Sequence, residues 1–389
     1  MSDLLVRDIG RLLTMTGEPI ADAAVVIRGG RIAWVGSERD LPAADDELPE
    51  LDAAGACVLP GFVDAHTHAV WAGSRRDEFA ARLAGERYDG GGIATTVAAT
   101  RAASYDELVE LAAGRLRAMR RDGTTTVEVK TGYALTPRGE LRLLDVAQEA
   151  AGQVGIGVEL TYLAAHAVPD ERDRDEYVAE VVATIPEAAA RGARWVDVFC
   201  DAVAFTVAET RQVLDAARGA GLGLRVHAEQ TAHTGGAALA AELGCASADH
   251  LEHVDAAGAR ALAEAGVVAV LVPVVSLATR SAAWDHARVL REAGCTLALA
   301  TDCNPGTAWC ESMPYAIQLG CLGMGLSVDE AVRAATVGGA QALRRDDIGR
   351  LEVGMRGDVA VLAAEHEADL VAHLGARPVR ATVVAGQLS

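Results

Sequence analysis

Between residues 57 and 312, short apolar runs alternate repeatedly with longer Ala- and Arg-rich stretches. Short runs of this mostly apolar kind suit strands buried on both faces, as in parallel sheets whose crossovers are helices. The runs lie at 57–63, 124–130, 157–163, 195–200, 223–226, 246–249, 267–273 and 296–300. Helical stretches fall near 104–120, 137–152, 173–190, 206–220, 235–243, 255–265, 281–293 and beyond 312. Eight such units predict an α/β fold of the (β/α)8, TIM-like barrel type, with a doubly wound α/β sheet as the alternative.

The two ends read differently. Residues 4–35 form short apolar runs, with a tight hairpin signal at Gly29-Gly30, and residues 348–362 and 379–386 return to short strands and glycine turns. Chain termini often lie close together, so both ends are expected to pair into one small β-sandwich domain beside the barrel. The expected division is 1–58 and 348–389 for the sandwich and 59–347 for the barrel.

With 51% hydrophobic residues in 389, the chain can bury a large core. No apolar run approaches the roughly 18 residues that a bilayer span needs, and the first residues lack a basic stretch before an apolar one. A cytoplasmic protein is expected. The seven cysteines are scattered without a paired framework and read as reduced and structural. A net charge of −20 disfavours nucleic acid and anionic membranes as partners, so an anionic small molecule would need a local basic clamp. Basic residues are almost all Arg; the single lysine is Lys130. It is kept either for a property specific to an ammonium or by chance.

In a barrel of this kind, chemistry sits at the C-terminal ends of the strands. His66 and His68 follow the first run, and alternate residues of a strand share a face. Two imidazoles there either bind one metal ion or pair as core histidines, and the later strand ends must decide. Those ends carry Lys130 and Tyr133, then His166, Asp201, His227 with Gln230, His250, and Asp302. His66, His68, His227 and Asp302 together make a mononuclear metal site with a position left for water. Such an ion would supply hydroxide, with Asp302 as proton acceptor. His250 is placed to orient the nucleophile or stabilise an oxyanion, or else to close the barrel top as a hydrogen-bonded ring.

These residues resemble the amidohydrolase superfamily and, within it, the imidazolonepropionase family. The closer likeness rests on Asp64-Ala-His-Thr-His68, Ala72-Gly-Ser-Arg75, Tyr88 before Gly90-Gly-Gly-Ile93, and Glu128-Val-Lys-Thr-Gly-Tyr133. It continues in Ala165-His166-Ala-Val-Pro169, Val198-Phe-Cys200, His227-Ala-Glu-Gln230, Ala248-Asp-His250 and Ala300-Thr-Asp-Cys-Asn-Pro-Gly-Thr307. The resemblance spans essentially the whole chain. It implies hydrolysis of the cyclic amide of 4-imidazolone-5-propanoate to N-formimidoyl-L-glutamate, with zinc or iron, in a homodimer. It further implies that Arg75 grips the substrate carboxylate, as a guanidinium fork can. Tyr88, Tyr133, His166 and Gln230 would line the ring and tail, and Asn304, Gly306 and Thr307 would add polar contacts. Asp302, His250 and Gln230 are the expected catalytic groups. Some relatives bridge two metals with a modified lysine of another strand; no Lys follows strand four here, so one ion per chain is expected.

Two rivals remain at this level. A deaminase of the same superfamily would need Glu where Gln230 stands, because an amide cannot shuttle a proton; the neighbouring Glu229 would face away along an extended strand. A scaffold that had lost its metal would lack ligands, and none is missing.

Overall fold

The computed structural model describes residues 3–45, 47–85, 92–281 and 283–388. Sixteen strands occur in these segments. The first five are β1 (Leu4–Leu12), β2 (Ile20–Arg28), β3 (Arg31–Ser37), β4 (Glu50–Asp52) and β5 (Cys57–Pro60). Eight more follow as β6 (Phe62–Thr67), β7 (Thr124–Lys130), β8 (Gly157–Ala165), β9 (Trp195–Cys200), β10 (Gly223–Ala228), β11 (Ser247–His250), β12 (Val268–Leu271) and β13 (Leu297–Leu299). The last three are β14 (Val359–Leu362), β15 (Val379–Val384) and β16 (Gln387–Leu388).

Strands β6 to β13 form one sheet in sequential order, every pair parallel. The sheet curls into a nearly closed barrel whose seam is sealed at the C-terminal rim. Thr67 bridges Cys303, the Asp302 amide donates to the His66 carbonyl at 3.0 Å, and the His68 amide donates to the Cys303 carbonyl at 3.0 Å. The buried Asp64 carboxylate completes the seam by accepting from Thr301 N (3.1 Å) and Thr301 Oγ1 (2.6 Å). Closure thus fixes His66, His68 and Asp302 relative to one another.

The helices between strands start where the sequence supplies caps. Thr136 caps Pro137–Val154, Asp173 caps Arg174–Ala190, and Thr206 with Glu209 forms a capping box for Val207–Gly219. Their apolar faces, such as Leu141, Leu144 and Ala147, pack on the strands. Among the described residues no helix is long and apolar enough to cross a membrane.

The terminal strands form a second, separate sheet in the order β16-β15-β14-β5-β1-β2-β3, with β4 beside β1. Its two arms enclose a common core of Ile9, Val25, Ile27, Ile32, Leu351, Val359, Val361 and Val383. The apolar run 57–63, expected as one strand, is two. The Gly61 amide donates to the Asp358 carbonyl beside the terminal sheet, and the Phe62 amide donates to Gly123 beside the barrel, so the chain changes sheets between them. The expected division at 58/59 therefore falls inside β5. Two further boundaries differ: β12 stops at Leu271 because Pro273 opens a helix over Pro273–Ala278, and the long loop after β6 contains helices Arg76–Leu83 and Ile93–Ala102.

Candidate metal centre and active site

The histidines singled out from the sequence converge at the rim. His66 lies next to the last residue of β6 with its ring centroid 4.4 Å from that of His227 and 5.4 Å from those of His68 and His250. Its Nδ1 faces Asp249 Oδ2 at 2.6 Å, which turns Nε2 inward, 3.4 Å from Asp302 Oδ1. His68 Nε2 lies 3.4 Å from the same Asp302 oxygen and 3.4 Å from His227 Nε2. His227 has Asp197 Oδ2 3.0 Å from its Nδ1. His250 Nε2 stands 3.7 Å from Asp302 Oδ2. The backbones of His250 (φ 78°) and Asp302 (φ 47°) are left-handed, an uncommon state for such residues that tends to cluster at functional sites.

This donor set fits a metal ion. His66 Nε2 and Asp302 Oδ1 are buried without a hydrogen-bond partner, which is costly unless something else satisfies them. Donor atoms of His66, His68 and Asp302 lie within 4.8 Å of one another, and so do those of His66, His227 and His250. Imidazole nitrogens with one carboxylate oxygen suit zinc and iron alike. Ligation needs neutral rings, and burial, reinforced for His66 by Lys130 and for His68 by His166, lowers both well below the usual histidine range. His250 differs: burial would lower it, but Glu252 and Asp302 outweigh that and hold it up to about 9. Burial pushes Asp302 up to about 7, a push that a cation among the imidazoles reverses.

Beside the donors opens a cavity of about 250 Å³. Arg75, Tyr133, His166, Gln230, Asn304 and Thr307 all line it. Gly306 does not; it backs Arg75, where a Cβ would come within 2.3 Å of the guanidinium. Tyr88 lies outside the described residues. His166 stacks on His68 at 5.0 Å, and its Nδ1 meets the Gly132 carbonyl at 3.0 Å, an approach only glycine permits, since a Cβ there would sit 2.6 Å from that nitrogen.

Several groups named from the sequence have partners within the chain. Arg75 directs its fork at its own chain: Nε and Nη2 donate to the two Glu78 oxygens at 2.7 Å each. The Asn304 amide is spent within its loop, donating to the Asp302 carbonyl (2.7 Å) and accepting from the Gly306 and Thr307 amides (2.8 Å each). Glu229 points away from the rings for a reason other than strand alternation: β10 has ended, φ is 56°, and its carboxylate accepts from Gly235 N at the start of helix Gly236–Leu243. Asp201 is taken by the Thr231 amide and hydroxyl. Sequence reading missed Asp197 and Asp249, which bear on the rings of His227 and His66. Their signal was a lone carboxylate inside an apolar strand, which must find a partner.

A model of the amidohydrolase family matches residues 57–388. An imidazolonepropionase of Salinispora arenicola is 49% identical, over 97% of this chain and 95% of its own. That of Mycolicibacterium smegmatis is 46% identical, over 100% and 98%. Two solved structures share the fold at identities too low to speak of more. A variant of the atrazine chlorohydrolase of Arthrobacter aurescens, complexed with zinc and atraton, has a TM-score of 0.75 at 20% identity, covering 99% of this chain and 94% of that one. An adenosine deaminase of Xanthomonas campestris with bound zinc also has a TM-score of 0.75, at 21% identity, covering 100% and 92%. Metal dependence is a property of this superfamily, in keeping with the donor cluster. Near-complete coverage at such identity places the chain within the amidohydrolase family and, inside it, among the imidazolonepropionases.

Proposed function

We propose that the chain hydrolyses the cyclic amide of 4-imidazolone-5-propanoate to N-formimidoyl-L-glutamate in histidine degradation, with one zinc or iron ion held by His66, His68, His227 and Asp302. The observation that carries this reading is the clustering of those donors, of which His68, His227 and Asp302 line a small cavity with Arg75 in its wall. The zinc named for the two fold neighbours is in keeping with that choice. When bound, such an ion acidifies water and polarises a carbonyl.

The protein's own groups manage binding and protons. Arg75 takes the propanoate in exchange for, or alongside, Glu78. Tyr133 and His166 flank the ring, and Gln230 hydrogen-bonds it. Asp302 takes a proton from the attacking water as the oxygen bonds to the amide carbon. His250 donates to the oxygen that gains charge. The ring C–N bond then breaks, and the departing nitrogen receives the proton from Asp302. Gln230 stays neutral throughout.

The same reading makes the protein a cytoplasmic homodimer, and sedimentation tests the dimer. For the activity, metal-assayed protein is incubated with freshly made imidazolone propanoate while loss of ring absorbance and formation of formimidoylglutamate are followed. Turnover with one metal per chain is expected. Full metal content without turnover, or two tightly held ions, refutes the proposal.

A further inference from the structure

Beneath the donor cluster the barrel interior holds charge. Glu128 and Lys130 on β7, Asp197 on β9, Arg225 on β10 and Asp249 on β11 are all fully buried. Burying an ion costs several kcal/mol unless partners compensate, so each must be matched. Lys130 is the chain's only lysine among 35 basic residues. Its Nζ lies 2.7 Å from Asp197 Oδ2, 2.9 Å from Glu128 Oε1 and 3.4 Å from Asp249 Oδ2. The two aspartate oxygens are the same ones that meet the histidines, Asp249 Oδ2 at 2.6 Å from His66 Nδ1 and Asp197 Oδ2 at 3.0 Å from His227 Nδ1. One ammonium therefore joins two carboxylates that each bear on a ring of a different strand.

We propose that Lys130 is a positioning residue for the metal centre: it holds Asp197 and Asp249 as acceptors for Nδ1–H of His227 and His66, so that both rings present a bare Nε2. The hydrogen bond at one ring nitrogen fixes which nitrogen is left to ligate. A lysine suits the place because its three donors spread from a point charge toward three carboxylate oxygens, whereas a guanidinium is planar and larger. Arg225 does not duplicate the role. Its Nη2 reaches Asp249 at 3.3 Å, but Nη1 and Nη2 also donate to the Ala342 and Ala65 carbonyls, bracing backbone, and it forms no ion pair with Asp197.

This inference rests on the ligand set proposed above, and the test separates the two. Long-range 1H–15N spectra of metal-free, histidine-labelled wild type should show His66 and His227 as Nδ1–H tautomers. Finding their protons on Nε2 overturns the inference, and this holds whether or not any variant folds. Lys130→Met should retain its circular dichroism, mix the two tautomers, and bind zinc about 10–100-fold more weakly in competition with a chromophoric chelator. Lys130→Arg should recover part of both effects. Wild-type tautomers and zinc affinity in folded Lys130→Met overturn it. His68→Ala addresses the ligand set alone: it should lose metal while leaving the His66 and His227 tautomers as they are.

Discussion

Glu140 offers a sharp test of how the active-site loops are held. It lies in the first turn of helix Pro137–Val154 and is fully buried. Its carboxylate reaches back over the loop that carries Tyr133, accepting from the amides of Gly132 (2.5 Å), Ala134 (2.8 Å) and Leu135 (2.5 Å). It also steadies Leu135 at φ 47°, a state that leucine rarely adopts. In Glu140→Gln one oxygen can still accept from two amides, but the new NH2 faces the third donor. Hydrogen bonds to a charged acceptor contribute about 1.5–3 kcal/mol against about 1 for neutral ones, and an orphaned buried donor costs about 1–3. The variant no longer buries a charge, which offsets part of the loss, leaving a net cost of about 2–3 kcal/mol. With about 2.1 cal/mol/K of unfolding entropy per residue over a chain of this length, Tm should fall by about 3 °C. Calorimetry at matched scan rate and metal content measures it, and steady-state kinetics should show KM rising more than kcat falls, because Tyr133 lines the cavity. A melt within about 0.5 °C of wild type, with unchanged KM, would refute the reasoning.

Arg75→Lys keeps the charge but loses the fork, so KM should rise; Arg75→Met should raise it far more, and equal small effects would place the carboxylate elsewhere. Because Glu78 occupies the Arg75 fork, Glu78→Gln should lower KM for the propanoate substrate, and a rise in KM would show that Glu78 orients Arg75 instead of competing for it. Gln230→Glu should keep the metal and much of the ring-opening activity without ammonia release, whereas Gln230→Leu should weaken binding by stranding a polar group; ammonia from wild type without formimidoylglutamate would contradict the assignment. The hydrogen bond from Arg174 holds the Glu209 carboxyl down to about 2, so its stabilisation is present above the unfolded value near 4.3 and fades as pH falls through 2. The pair is partly exposed, so Glu209→Gln should cost less than about 1 kcal/mol at neutral pH, with the difference from wild type vanishing in acid melts.

The barrel was legible because eight apolar runs separated by Ala- and Arg-rich helical stretches admit few other arrangements. The His and Asp cluster was legible for a related reason: its members stand just past the ends of the runs, His66 and His68 with Asp64 before them. What stayed hidden depends on partners distant in sequence. His66 and Asp249 are 183 residues apart, and nothing local says that they meet. Glu128, Asp197, Arg225 and Asp249 are charges inside otherwise apolar runs, a signal passed over in the sequence although such a pattern demands pairing. The Arg75–Glu78 pair went unseen because an arginine at a barrel mouth invites a search for an external anion, while a carboxylate three residues along satisfies the same fork. The break at Gly61 was masked by an unbroken apolar composition, since two strands of different sheets can share one run when both are buried.

The burial of Lys130 has a practical side. Among the described residues no side-chain amine reaches the surface, so acylating reagents and amine cross-linkers find no lysine on the folded protein. Reaction at this position requires the barrel interior itself to be exposed. A single acylated peptide, followed over time by mass spectrometry, would therefore count openings of the whole barrel at one position, against a background that no other lysine can contribute.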